Sequence, residues 1–164
     1  MNAIAFEERV LFCPNIPAEM NQLLQAAVAA SSKDQHLAEK LFLQAQTLDS
    51  HCLQTYFALY KFYFFQKRLA DAERIVLAGL EESARQGGFP NDYRQLLANL
   101  KTWDLYANDS ALFYLYTLKA LAFIKLRLGH TSDAQAVLSL IQQLDPDDLS
   151  GATVIMALAA GVVD

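Results

Sequence analysis

A chain of 164 residues is one domain by size, long enough to bury a core without metal or disulfide staples. Apolar residues make up 54% of it and charged residues 19%, which excludes an intrinsically disordered chain. The formal charge of −5, with no basic run, argues against nucleic-acid binding, which needs clustered Lys and Arg to displace counterions. Residues 1–9 lack the basic start and long apolar run of a secretory signal. The most apolar stretch, Gly151 to Val163, falls short of the ~20 residues a membrane helix needs. The expectation is a cytoplasmic protein with no membrane partner, in which Cys13 and Cys52 are small buried hydrophobes.

Helix signals come in pairs along the chain. Pro17 opens a segment running to about Ala30. Asp34 is placed to cap the next helix, where Leu37, Leu41, Phe42, Ala45 and Leu48 stand at helical spacing. A second pair runs from Leu53 to Gln66 and from Ala70 to Arg85, stopped by Gly87-Gly88. Residues 87–109 are too many for a structureless loop in a compact domain, and Pro90-Asn91-Asp92 followed by Tyr93, Leu96, Leu97 and Leu100 predicts an extra helix over 92–101. Trp103 and Tyr106 are expected to anchor this insertion or to form a rim or lid for the groove. Asn108-Asp109-Ser110 caps a long segment to Leu128, Gly129 ends it, and Ser132 with Gln135 reads as a capping box for the helix stopping at Asp145-Pro146. A last helix, 149–162, is uncharged between Asp148 and Asp164. Two covers for it are open: the amino-terminal Ile4, Phe6, Val10, Leu11 and Phe12, or a homodimer through Val154, Ile155, Leu158 and Val162.

The pairs repeat. Ala38-x3-Phe42-x2-Ala45 aligns with Ala72-x3-Val76-x2-Gly79 at a spacing of 34 residues, and again with Ala134-x3-Leu138-x2-Ile141, which closes at Pro146. On these residues the chain resembles the tetratricopeptide repeat (TPR) family, whose period is 34 and whose pattern ends in A-x3-F…P. The resemblance implies an all-α, right-handed helix-pair solenoid in one domain, with repeats about 19–52, 53–86 and 115–148. An insertion at about 87–114, with its inserted helix before the third repeat, and an apolar terminal helix over 149–163 complete it. It also implies that the first helix of each pair lines a concave surface. The carboxylate clamp of the family's chaperone-binding members does not fit, because Leu23, Ala27 and Ala30 stand where it needs polar and basic groups.

No chemistry-bearing motif competes with this reading. His36, His51 and His130 are scattered near turns, and no Gly-rich phosphate loop follows a strand. The adjacent carboxylates Glu7-Glu8, Glu81-Glu82 and Asp147-Asp148 point in different directions on a helix. A non-enzyme without cofactor or metal is expected. The first helix of the second pair is apolar nearly all round. Tyr56, Leu59, Tyr60 and Tyr63 can pack on its partner, which leaves Phe57, Lys61, Phe64 and Phe65 for the concave side. In the third pair Tyr116, Lys119 and Phe123 match them. Two readings of these aromatics are open: they are simply core in a short, tight solenoid, or Phe57, Lys61, Phe64, Tyr116, Lys119 and Phe123 are the candidate partner-binding residues, with both lysines solvated. The function expected is an adaptor or scaffold gripping an acidic, partly apolar peptide. The alternatives are a chaperone like those of type III secretion and a helical small-molecule or lipid carrier.

Overall fold

The structure, a computed structural model, describes residues 16–163, with the backbone alone for Tyr93 and residues 160–163. The amino-terminal cover proposed for the last helix and the side chain of Val162 lie outside the described residues. The described residues form eight α-helices and no strand. These are α1 (Ala18–Ala30), α2 (Gln35–Leu48), α3 (Leu53–Phe65), α4 (Leu69–Gly87), α5 (Tyr93–Ala98), α6 (Asp109–Arg127), α7 (Thr131–Leu144) and α8 (Ala152–Val163).

Local chemistry sets most of the boundaries. The carboxylate of Asp34 accepts the Leu37 N–H at 3.1 Å, that of Asp92 accepts the Arg94 N–H at 2.9 Å, and the Asn108 carbonyl accepts the Ala111 N–H at 2.9 Å. Each satisfies one of the N–H groups that a helix start leaves without an internal partner. Gly88, at φ +71°, ends α4 in the left-handed conformation that only glycine adopts without strain. Two expectations change here. α7 starts at Thr131 with no side-chain cap bond, so Ser132 lies inside the helix and the capping box is absent. α5 is also shorter than its apolar stripe, because a turn follows Ala98 and leaves Leu100 exposed.

Three hairpins, α1–α2, α3–α4 and α6–α7, make up most of the molecule. Side-chain contacts fix their directions. Phe42 stacks near Phe62 at 5.3 Å, while Tyr56 donates to the Ser50 carbonyl at 2.8 Å, so α2 and α3 run antiparallel. Lys125 pairs with Glu73 at 2.6 Å and Phe113 faces Gly79, so α4 and α6 are antiparallel as well. The first helices therefore share one direction: Tyr60 meets Thr117 and Phe64 meets Phe123. The start of α1 likewise sits at the start of α3, where Thr55 contacts the Met20 sulfur.

Small residues permit this close stacking. Ala38, Ala72 and Ala134, each near the start of a second helix, are completely buried. A Cβ on Gly79 would stand 3.2 Å from the Phe113 ring and 3.5 Å from Tyr56 Cβ, so α3, α4 and α6 converge where one residue has no side chain. The insertion leaves this stack intact: α6 packs directly on α4, while α5 lies against α7 with Leu96 fully buried.

Two polar networks tie the units together. Glu39 of α2 accepts from the Tyr63 hydroxyl at 2.7 Å and from the Arg68 guanidinium at 2.9 and 3.0 Å, which joins the first hairpin to the second. Asp145, just after α7, accepts from Tyr106 Oη at 2.5 Å, from the Leu149 and Ser150 N–H groups at 2.9 Å, and from Ser150 Oγ at 2.6 Å. Tyr106 thus anchors the insertion to the connection entering α8. That helix buries Ala152, Ile155 and Ala159 within the chain and leaves Val154 and Leu158 outside. Ile155 is for that reason unavailable to a second copy, contrary to the expected dimer contact.

Burial raises the Asp145 carboxyl, but the bonds from Ser150, Tyr106 and Leu149 outweigh it and hold its pKa below the ordinary value. A depressed carboxyl contributes stability above the unfolded pKa, near ~3.9, and loses it as the pH falls through the folded value. Asp145→Asn is expected to cost about 2 kcal/mol at pH 7. The deficit should narrow below about pH 4, where the wild type also loses its carboxylate. Urea melts of both proteins at pH 7 and pH 3 measure the gap, and a deficit unchanged at pH 3 would exclude the charged hub.

Candidate functional site

The parallel arrangement of α3 and α6 puts the sequence-predicted residues on two neighbouring rows. The register set by the Tyr60–Thr117 and Phe64–Phe123 contacts brings Lys61 level with Lys119, and Phe57 level with Tyr116. Phe64 and Phe123 stack at 5.1 Å between centroids. The face is therefore layered as aromatic, cation, aromatic, with about 10.5 Å between its outer layers at 1.5 Å per helical residue.

Both lysines fold back toward the helix N-termini, the direction helical side chains take. Lys61 Nζ lies 4.9 Å from the Phe57 ring centroid and Lys119 Nζ 5.5 Å from that of Tyr116. Each ammonium thus sits on an aromatic ring, which lowers the cost of its partial removal from water.

Exposure divides the six. Lys61, Phe64, Tyr116 and Phe123 are half-buried, whereas Phe57 is 3% exposed and Lys119 9%. The expectation that both lysines are solvated is corrected for Lys119. The connection entering α8 passes beside its ammonium, which stands 3.7 Å from where a Gly151 Cβ would be. No periodicity in the sequence brings residue 151 over residue 119. Phe65, which shares the α3 stripe but is not among the six, is 46% exposed and meets Phe64 edge to face at 5.6 Å. Phe65, Phe64 and Phe123 form a ledge at the C-terminal ends of α3 and α6.

A concavity of about 740 Å³ opens between α1 and α2, away from this face. Leu23, Leu43 and Leu48 line it beside Glu19, His36 and Lys40, and none of the six candidate residues takes part. Among the described residues no three His, Cys, Asp or Glu side chains gather where they could hold a metal ion. No helix among them is long and apolar enough to cross a membrane.

Fold and face together define an all-α protein of stacked helix hairpins with an aromatic and basic strip across two parallel helices. The chain is similar to an uncharacterized 19.8 kDa protein of the nifW 5′ region in Azotobacter chroococcum mcd 1. The two are 29% identical over 133 residues, covering 80% of this chain and 75% of the relative. No family model and no solved structure matches the chain.

The burial difference separates the two lysines by experiment. Lys119→Glu is expected to cost about 3 kcal/mol of folding stability, because it exchanges a buried cation resting on a ring for a shorter carboxylate in the same enclosure. Lys61→Glu should cost about 1 kcal/mol or less. Paired chemical denaturation curves check this, and equal losses would contradict the burial described.

Proposed function

We propose that the chain is a TPR-like helix-pair solenoid acting as a non-catalytic adaptor, and that it holds an acidic, partly apolar protein segment on the α3–α6 face. The observation that carries the reading is the half-buried Phe64–Phe123 stack, 5.1 Å between centroids, flanked by Lys61 and by the exposed Phe65. Packing alone would favour full burial of such large rings. Rings left partly open on a rigid two-helix platform suit the role of anchors, because they bury much area on binding at little entropic cost.

The stack of hairpins supports the repeat assignment. Its first helices run parallel, and the second helices carry fully buried alanines at 38 and 72, 34 residues apart, and at 134, 62 residues further on across the insertion. The charge pattern supports an acidic partner. Every charge from Leu53 to Arg68 and from Ala111 to Leu128 is positive in a chain whose net charge is −5. Lys61 would select partner charge and speed encounter, while the rings supply most of the affinity. In the same reading α8, with Val154 63% and Leu158 47% exposed, is the surface for self-association.

Phe64→Ala and Phe123→Ala each remove half a stacked pair from a half-buried position, so each should cost about 2 kcal/mol of stability. Each should also weaken partner capture at least tenfold. Lys61→Glu should weaken capture with nearly wild-type stability, and more so at low salt. Affinity capture with wild-type and variant chains, followed by titration of the captured protein, checks this. Binding unchanged in all three variants sinks the adaptor face.

A further inference from the structure

Arg127 lies outside the six candidate residues, yet it continues their row. It follows Phe123 by one turn on α6 and is exposed, so its backbone stands about 6 Å beyond that of Phe123 along the helix. On the α3 side, the exposed Phe65 flanks the Phe64–Phe123 stack. We infer that Arg127 is a charge-selecting residue of the face, and that the segment held there is a helix with apolar side chains over the stack and a carboxylate one turn further on. This rests on the proposed role of the α3–α6 face and names the chemistry of its partner.

Charge carries the inference. Neighbouring cations at this end of the stack are already engaged: Arg68 donates to Glu39 and Asp71, and Lys125 pairs with Glu73 at 2.6 Å. Among the described residues Arg127 forms no ion pair. α3 carries no carboxylate, and the only one on α6 is Asp109 at the opposite end, about 27 Å away along the helix. The helix dipole accounts for a cation in the last turn of α6, a role Lys125 also fills, but it is indifferent to which side of the helix bears the charge. Arg127 bears it on the side of the rings. A carboxylate brought there by a partner meets a cation and no competing acid. Spacing sets the partner's form. Phe65, Phe64 and Phe123 spread the apolar ledge across two helices. A helical segment covers that width with apolar side chains at i and i+3, and carries a carboxylate at i+7 along the same side. An extended segment turns every second side chain away from the ledge.

The experiment titrates two fluorescent peptides into the full-length chain and reads anisotropy. Both are side-chain-stapled, because helices of about 15 residues are marginal alone. One carries Leu, Phe and Glu at i, i+3 and i+7, and the other has Lys in place of Glu. The wild type is expected to bind the Glu peptide about tenfold more tightly at low salt. Arg127→Glu should reverse that preference, and the milder Arg127→Ala should abolish it, both with denaturation curves close to the wild type because the residue is exposed. Phe64→Ala should weaken both peptides. Equal affinity of the wild type for the two peptides, a preference that survives both Arg127 variants, or no binding of either peptide overturns the inference. Unchanged affinity in Phe64→Ala would place the peptides off the ledge and overturn it as well. Capture of the cellular partner by the Phe64 and Phe123 variants tests the face itself, so either idea can fail while the other stands.

Discussion

The close approach of helices at a few side-chain-poor positions governs everything else in this molecule. Ala38, Ala72 and Ala134 let each second helix lie against its first, and Gly79 lets α6 settle onto both α3 and α4. A larger side chain at Gly79 would push Phe113 away and open the seam between the second and third hairpins. That seam sets the register of α3 against α6, and the register brings Phe64 to Phe123 and Lys61 level with Lys119. A face assembled from two separate helices depends on the angstrom-scale fit behind it.

The insertion shows how this stack tolerates extra chain. Residues between α4 and α6 bulge outward instead of intervening, and α5 finds its own place against α7. Its attachment is polar at one point, since Tyr106 reaches Asp145 while Asp145 also gathers the Leu149 and Ser150 N–H groups. One buried carboxylate therefore holds the insertion, the end of α7 and the entry to α8. Burial and hydrogen bonding oppose each other in its pKa, and hydrogen bonding prevails because its donors converge on two oxygens. The same connection shields Lys119, so the end of the stack shapes the candidate face from behind.

The two lysines show one residue type in two environments. Lys61 rests on Phe57 and remains half-exposed. Lys119 rests on Tyr116 but lies under the chain entering α8, where it supports the structure. Four of the six sequence-derived residues keep accessible surface, and Phe65 extends them into a ledge.

What the sequence by itself determined were the features written in short-range patterns. Helical spacing, the cap at Asp34, the Asn108-Asp109-Ser110 start and the Gly87-Gly88 stop fixed the helices to within a few residues, because each depends on bonds spanning one or two turns. The stripe Tyr56, Leu59, Tyr60 and Tyr63 was legible as core for the same reason, and all four side chains are buried. Short-range pattern misled where a local signal had a competitor: Ser132 could cap, yet the helix begins one residue earlier and takes it inside. Only the tertiary structure decided which candidate residues stay open. Phe57 and Phe64 lie on one helical face at a spacing of seven, and nothing local distinguishes them, yet one is buried and the other half-exposed. Lys119 is covered by a loop 32 residues later in the chain, and Asp145 is joined by a tyrosine 39 residues earlier. Exposure is a property of what packs from elsewhere, and that is settled only when the whole chain has folded.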